Sequence, residues 1–217
     1  MPEKISPPRK LWDRVFATPG ILALITTVDA KGNVNAAAFA TCVRSVHNPL
    51  QISFVTDKTN HTWENIEETG QFVVNLPSFD RELLEKVCTA GLPFARGVNE
   101  LEKAGLTALP STVLKPPRVA ECNRHFECQV VWTKKWLDRV MVTGEVVAAS
   151  VDRDCVDADG FVHWDTVSPA LYCGAPYQNQ PPYQNRFVVA HETMTVEQYR
   201  DYPEVEAFKE KLKKLDI

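Results

Sequence analysis

The chain has 217 residues with a formal net charge of −4, and 44% of its residues are apolar. This length supports one sizeable core, and the acidic balance argues against a nucleic-acid partner because no excess of basic residues exists to neutralise phosphates. No apolar run approaches the ~20 residues that span a bilayer, and the polar start of the chain lacks the apolar stretch of a secretory signal, so we expect no membrane association.

The cysteines and short motifs exclude several kinds of chemistry. Six cysteines occur without a C-x-x-C pair, and without an export signal we expect reduced thiols in a cytoplasmic protein. His125 and Cys128 are three apart in a predicted strand and would face opposite sides, so we expect no metal site. Rossmann, P-loop and G-x-S-x-G motifs are all missing from the sequence.

The first half of the chain alternates predicted strands with short helices. Leu11, Trp12 and Val15 stand at helical spacing and predict a short docking helix. Strands are predicted over residues 21–28, 33–41, 50–56 and 71–76. Gly32 favours a hairpin turn between the first two strands.

Helices are predicted between and after these strands. The first covers residues 62–69 and ends at Gly70, a residue suited to the left-handed C-cap. Ser78 is expected to cap the next helix, which carries Leu83 and Val87. A third short helix is predicted over residues 99–104.

The second half predicts two long strands followed by loops. The strands cover residues 126–133 and 140–151, and an acidic loop follows. Further predictions are a polar loop over residues 174–184, a strand over 186–190, a capping box at 195–198 and an amphipathic helix after Pro203. Many strands with turn signals and few long helices predict an antiparallel barrel.

Three polar signatures lie among the apolar segments between residues 21 and 76. They are NAAAFA at residues 35–40, TNHTWENI at 59–66 and FVVNLP at 72–77. In this order and spacing they resemble the flavin reductase-like family. The resemblance implies a mainly β fold with peripheral helices, a Greek-key split β-barrel of the FMN-binding type. It predicts a single domain over residues 1–217, with the barrel core at about 15–151 and a C-terminal extension at 152–217.

The segment that enters the first predicted helix suits a phosphate group. It joins a strand to a helix, where the first backbone amides are unpaired, and it carries hydroxyl, amide and lysine side chains. The alternative is a plain N-cap by Thr62 or Asn60. In the family this loop contacts the flavin phosphate, and a serine on the preceding strand corresponds to a position beside the ribityl chain. The residues assigned to this end are Ser53, Lys58, Thr59, Asn60, His61, Thr62 and Asn65.

The alanine-rich segment suits a planar ring, because small side chains let a ring approach the backbone closely. The alternative is a tightly packed hairpin strand. The equivalent family segment, N-x-x-P-[FY]-[ST], bonds the flavin ring through main-chain groups, although Ala38 and Ala40 replace the usual proline and hydroxyl residue. The residues assigned to the ring are Asn35, Ala36, Ala37, Ala38, Phe39, Ala40 and Thr41.

Three other features keep two interpretations each. Asn75, in an otherwise apolar strand, is a structural amide or a site residue. Glu100 and Arg96 lie in a stretch that also resembles the family. The resemblance places them either at a dimer interface or at the edge of the flavin. The loop at residues 172–184, rich in tyrosine and amides, is a plain surface loop or a cover over the flavin.

The resemblance implies an FMN-binding oxidoreductase, with FAD as an alternative. NAD(P)H would supply the electrons, and no catalytic side chain is required because the cofactor carries the chemistry. Two other functions stay open. One is a flavoredoxin-like electron carrier reduced by a protein electron donor, and the other is a non-enzymatic flavin-binding module. The resemblance also implies a homodimer.

Overall fold

A seven-stranded antiparallel sheet forms the body of the protein in a computed structural model that describes residues 2, 4–16, 19–174 and 185–189. In chain order the strands are β1 (Gly20–Ile21), β2 (Ala23–Val28), β3 (Val34–Phe39), β4 (Val43–Val46), β5 (Gln51–Asp57), β6 (Gln71–Leu76), β7 (Ala108–Leu109), β8 (Arg118–Val119), β9 (Arg124–Trp136), β10 (Arg139–Val151), β11 (Ala170–Tyr172) and β12 (Phe187–Val189). The large sheet has the order β3-β2-β6-β9-β10-β5-β4, and β1-β11-β12 and β7-β8 form two small sheets.

Short helices surround the sheet. The α-helices are α1 (Trp12–Phe16), α2 (His61–Thr69), α3 (Arg81–Ala90), α4 (Glu100–Ala104) and α5 (Trp164–Val167), with 3-10 turns at Arg9–Leu11 and Arg153–Cys155. The predicted class, mainly β with peripheral helices, is confirmed. No helix in the described part of the chain is long and apolar enough to cross a membrane.

Strand β2 is buried on both faces and separates two apolar clusters. Leu24 belongs to the cluster beneath α3 and α4, and Ile25 to the cluster that includes Trp63 of α2. Side chains alternate across a strand, and all six residues of β2 are buried, so the strand is covered on both sides. This explains the continuous apolar run at the start of the chain.

The sheet curls so that its two edge strands approach each other. The Thr41 side chain, just after β3, accepts a hydrogen bond from the Val55 amide and donates one to the Val55 carbonyl, both at 3.1 Å. This hydroxyl joins the end of β3 to β5 on the far side of the sheet. The curl leaves the outer edge of β3 facing the start of α2.

Most predicted elements are present, with some corrections. Gly32 and Gly70 have positive φ angles of 88° and 67°, as the turn and C-cap predictions require. The cap of α3 is Asp80 and not Ser78, because the Asp80 carboxylate accepts the Leu83 amide at 2.8 Å. The sequence did not predict the strands β4, β7, β8 and β11 or the helix α5.

Other sequence predictions have mixed outcomes. The N-terminal helix is present, but its Trp12 and Val15 side chains are exposed and do not dock as expected. All six cysteines are free, and burial raises the pKa of Cys42 to about 12. The capping box, the C-terminal helix and residues 175–184 of the polar loop lie outside the described residues.

Candidate functional site

Strand β3 presents a free backbone edge to a cleft. Among the described strands it pairs only with β2, with Ala36 opposite Thr26 and Ala38 opposite Leu24. The Ala36 amide donates to Glu100 Oε2 at 3.0 Å, so it points away from β2. Backbone groups alternate in direction along a strand, and the Ala38 amide therefore points the same way, toward the cleft that Ala38 lines.

The start of helix α2 forms a second wall of this cleft. Asn60 is the N-cap, and its Oδ1 accepts the Trp63 amide at 3.0 Å. Thr56 holds the Asn60 side chain in place through hydrogen bonds of 2.7 and 2.9 Å. Within the described chain, the amides of His61 and Thr62 have no acceptor, as the first turn of a helix requires. These amides are available to an anion.

A buried network fixes the two walls relative to each other. Asn35 Nδ2 lies 3.1 Å from Thr62 Oγ1 and 3.2 Å from Thr27 Oγ1. Asn65 Nδ2 donates to the same Thr27 hydroxyl at 3.1 Å. Because Thr62 accepts from Asn35, its own hydroxyl hydrogen stays available to a ligand. Four side chains from β2, β3 and α2 thus lock the cleft geometry.

The cleft has a volume of about 520 Å³, within the roughly 300–1,000 Å³ of small-molecule sites. It brings together most of the residues predicted at the two ends of a flavin. Those that line it are Asn35, Ala36, Ala37, Ala38, Phe39, Ala40, Thr41, Thr59, Asn60, His61 and Thr62.

Three predicted residues do not line the cleft. Ser53, expected beside the ribityl chain, is fully buried, and its hydroxyl bonds Ser45 at 2.8 Å and Thr143 at 2.7 Å. Lys58 Nζ instead bonds the Leu137 carbonyl. Asn65 lies beneath the cleft in the buried network. These three side chains therefore lie outside the lining of the cleft, and their assignment to a cofactor stays a prediction.

The lining also contains residues that the sequence assigned loosely or missed. Glu100, which the sequence analysis left between two roles, contributes a buried carboxyl group, and burial raises its pKa above the ordinary value. Arg139 brings a guanidinium group that is paired with Asp57. The segment from Ala90 to Phe94 completes the lining. A local sequence pattern could not predict that Arg139 lines the cleft, because its position depends on the pairing of β10 with β5.

Arg96 and Asn75 have structural partners. Arg96 forms ion pairs with Glu64 and Glu68 on the outer face of α2. Asn75 is fully buried, donates to the Leu24 carbonyl at 3.0 Å and accepts the Val119 amide at 2.9 Å. The structural interpretation of Asn75 is therefore confirmed.

The residues present fit a flavin nucleotide. Unpaired helix amides, the Thr62 hydroxyl and a guanidinium suit a phosphate. Methyl side chains and the free edge of β3 suit a flat heterocycle with hydrogen-bonding groups on its rim. These two environments share one cleft, as a molecule with an anionic end and a planar end requires.

Comparison with known proteins agrees with this geometry. Residues 15–179 match the model of the flavin reductase like domain. An uncharacterized protein of Aquifex aeolicus is 29% identical over 167 residues, which are 75% of this chain and 84% of that protein.

Solved structures show the same fold. A flavin reductase-type protein with a split barrel domain from Shewanella frigidimarina superposes with a TM-score of 0.74 at 20% identity, covering 84% of this chain and 88% of that one. The flavoredoxin of Desulfovibrio vulgaris gives 0.73 at 21% identity, covering 90% and 97%. The split-barrel prediction is confirmed, and the family match supports a flavin-related oxidoreductase function with a flavin cofactor. The chain belongs to the flavin reductase-like family.

Proposed function

We propose that the protein is an FMN-dependent oxidoreductase that takes its electrons from NAD(P)H. The observation that carries this proposal is one cleft that joins the unpaired amides of His61 and Thr62 to the free edge of β3. FMN fits these two environments with one phosphate and one ring, whereas FAD would need further space for an adenylate.

The α2 end of the cleft would hold the phosphate. The His61 and Thr62 amides and the Thr62 hydroxyl offer three donors, and the helix N-terminus adds a positive electrostatic contribution. Arg139 replaces Lys58 as the cation on the cleft wall. Its pairing with Asp57 holds the guanidinium at the rim, where it would neutralise part of the phosphate charge.

The β3 end would hold the ring through its backbone. The free backbone edge of β3 faces the cleft with its carbonyl groups as well as its amides, and the methyl groups of Ala37 and Ala38 leave room for close approach. Bound FMN supplies an acceptor for a hydride and a carrier for the electrons. The chain's task is to orient the ring and to shield one face from water, and no side chain in the cleft is needed as an acid or a base.

We further propose a homodimer, as the family resemblance implies. Apolar side chains of the β9–β10 hairpin are exposed to an unusual degree, with Leu137 at 86% and Trp132 at 45%. Arg139, two residues from Leu137, lines the cleft. A partner that covers this hairpin would lie beside the site. Light scattering at micromolar concentration should give twice the mass of the chain, and a monomer would contradict this proposal.

Anaerobic mixing tests the function. Purified protein is saturated with FMN, and NADH or NADPH is added while the flavin absorbance is followed. We expect rapid bleaching with at least one nucleotide. Bleaching only by a reduced protein donor would favour the flavoredoxin-like alternative, and binding without any reduction would favour a non-enzymatic flavin module. Absence of FMN binding would refute the proposal.

A further inference from the structure

Glu100 is a buried carboxylate with an incomplete set of partners. Its residue exposure is 4%, although glutamate is rarely buried unless its charge is paired. It is the first residue of α4, where the Asn99 side chain caps the helix by accepting the Leu101 amide at 3.1 Å. The cap fixes the point at which α4 starts and so directs this residue toward the cleft.

The two carboxylate oxygens of Glu100 have different surroundings. Oε2 accepts the Ala36 amide at 3.0 Å and so holds the edge of β3. Within the described chain, no other residue donates a hydrogen bond to Oε1. Glu100 lines both the main cleft and a small adjoining pocket. Its own amide and the amide of Ala36 are its backbone donors, so the carboxylate, which can accept several hydrogen bonds, keeps acceptor capacity toward the cleft.

The position of Glu100 along the cleft identifies the donor. Its partner Ala36 follows Asn35, which touches Thr62 at the phosphate end. The ring end, at residues 38–40, lies a further ~7–13 Å along the strand at about 3.3 Å per residue. Glu100 therefore stands between the two ends of the proposed ligand, where FMN has a chain of hydroxyl groups.

The electrostatic surroundings agree with a neutral donor. Burial raises the pKa of Glu100, while hydrogen bonds from its own amide and from the Ala36 amide, together with the nearby His61, oppose that rise. No cation forms an ion pair with Glu100 in the described chain. A second anion beside this group would be repelled, whereas hydroxyl donors would satisfy it without adding charge.

We propose that Glu100 is a ligand-contacting residue whose carboxylate accepts a hydrogen bond from the polyol chain of the flavin. The proposal rests on the proposed flavin function and adds a specificity determinant to it. Glu100 would thus distinguish ligands that carry a ribityl chain from those that carry only the ring.

Three ligands and two matched variants test this assignment. Lumiflavin has the ring without the ribityl chain, riboflavin adds the chain, and FMN adds the phosphate. Each is titrated by fluorescence against wild type, Glu100→Gln and the control Glu102→Gln, which changes an exposed glutamate of the same helix. Glutamine can still accept the Ala36 amide, so β3 should keep its place.

The expected pattern is selective. Glu100→Gln should weaken riboflavin and FMN about five- to tenfold, because a charge-assisted hydrogen bond is replaced by a neutral one. Lumiflavin should bind wild type and variant equally, and Glu102→Gln should match wild type for all three. Glu100→Ala, checked for fold by circular dichroism, should give a larger loss for the same two ligands.

Other patterns overturn the assignment. Equal weakening of all three ligands would show that Glu100 only holds β3. Stronger FMN binding with unchanged riboflavin would place it against the phosphate. Unchanged affinities in both Glu100 variants would remove it from the site while the proposed function stands. A wild type that binds none of the three would instead refute the proposed function, and this inference with it.

Discussion

Two buried glutamates, Glu100 in the cleft and Glu127 in β9, show how the same side chain serves different purposes. Glu127 accepts the amides of Thr112, Val113 and Leu114 at 2.6, 2.8 and 2.9 Å. Burial alone would raise the pKa of Glu127, but these hydrogen bonds lower it below its ordinary value.

Glu100 has one backbone donor from another residue, and burial raises its pKa. The difference lies in the supply of donors. The carboxylate of Glu127 holds a loop through three backbone amides, whereas the carboxylate of Glu100 has fewer donors and lines the cleft, where we propose that a ligand contacts it. The proposal thus separates a region that the chain itself completes from a region that a ligand would complete.

The largest expected effect is loss of flavin binding when the cleft is filled. Ala37→Leu and Ala38→Leu should each abolish FMN binding, because the added side chain occupies the volume beside the β3 backbone. Ala38→Pro should be tolerated, since its amide makes no ladder bond and proline is accepted on sheet edges. Fluorescence titration checks all three, and full occupancy in both leucine variants would contradict the placement of the ring.

Removal of the Glu127 carboxylate, which holds the loop at residues 112–114, should lower stability more than it lowers flavin affinity. Glu127→Ala should lower the free energy of unfolding by about 2–3 kcal/mol, because it leaves three amides without their acceptor. Urea unfolding measures the loss. FMN affinity of the folded variant should stay close to that of wild type. If instead affinity fell while stability held, the division between the two glutamates would be wrong.

Thr62 offers a smaller effect on binding. Thr62→Ala should weaken FMN by about 1–2 kcal/mol, the scale of one hydrogen bond to a charged group. Thr62→Ser retains the hydroxyl and serves as the control. Unchanged affinity in the alanine variant, with the fold intact by circular dichroism, would show that this hydroxyl only joins Asn35 in the buried network.

The smallest effect is the opposite pH dependence of the two glutamates. The Glu127 pKa is lowered by folding, so its contribution is present above the unfolded pKa and is lost as pH falls through the folded pKa. The Glu100 pKa is raised, so its contribution is present below the unfolded pKa and is lost as pH rises through the folded value. Unfolding of Glu127→Gln and Glu100→Gln across pH 3–7, relative to wild type, should therefore give differences of opposite slope. Slopes of the same sign would refute this contrast.

Local sequence patterns were sufficient to predict the strand and the helix that form the walls of the candidate site. The three alanines of β3 and the Thr-Trp-x-Asn-Ile start of α2 predicted a strand and a helix that the structure brings to one cleft. Gly70 predicted the end of α2 because a left-handed residue is required there. These signals are local, since each depends on a few neighbouring residues.

The remaining site residues depend on pairing between distant strands. Arg139 reaches the cleft because it lies opposite Asp57 in the β10–β5 ladder. Ser53 carries the expected hydroxyl, but Thr143 of β10 and Ser45 engage it. No local sequence pattern reveals that the Ser53 hydroxyl bonds other side chains of the protein whereas Arg139 lines the cleft. That distinction appears only when the curled sheet closes.

A crystal structure of the protein with FMN tests the central claim most directly. The account predicts electron density for the phosphate on the amides of His61 and Thr62, and for the ring against the free edge of β3 near Ala38. Density for FMN at any other place on the chain, or an empty cleft at saturating FMN, would contradict it.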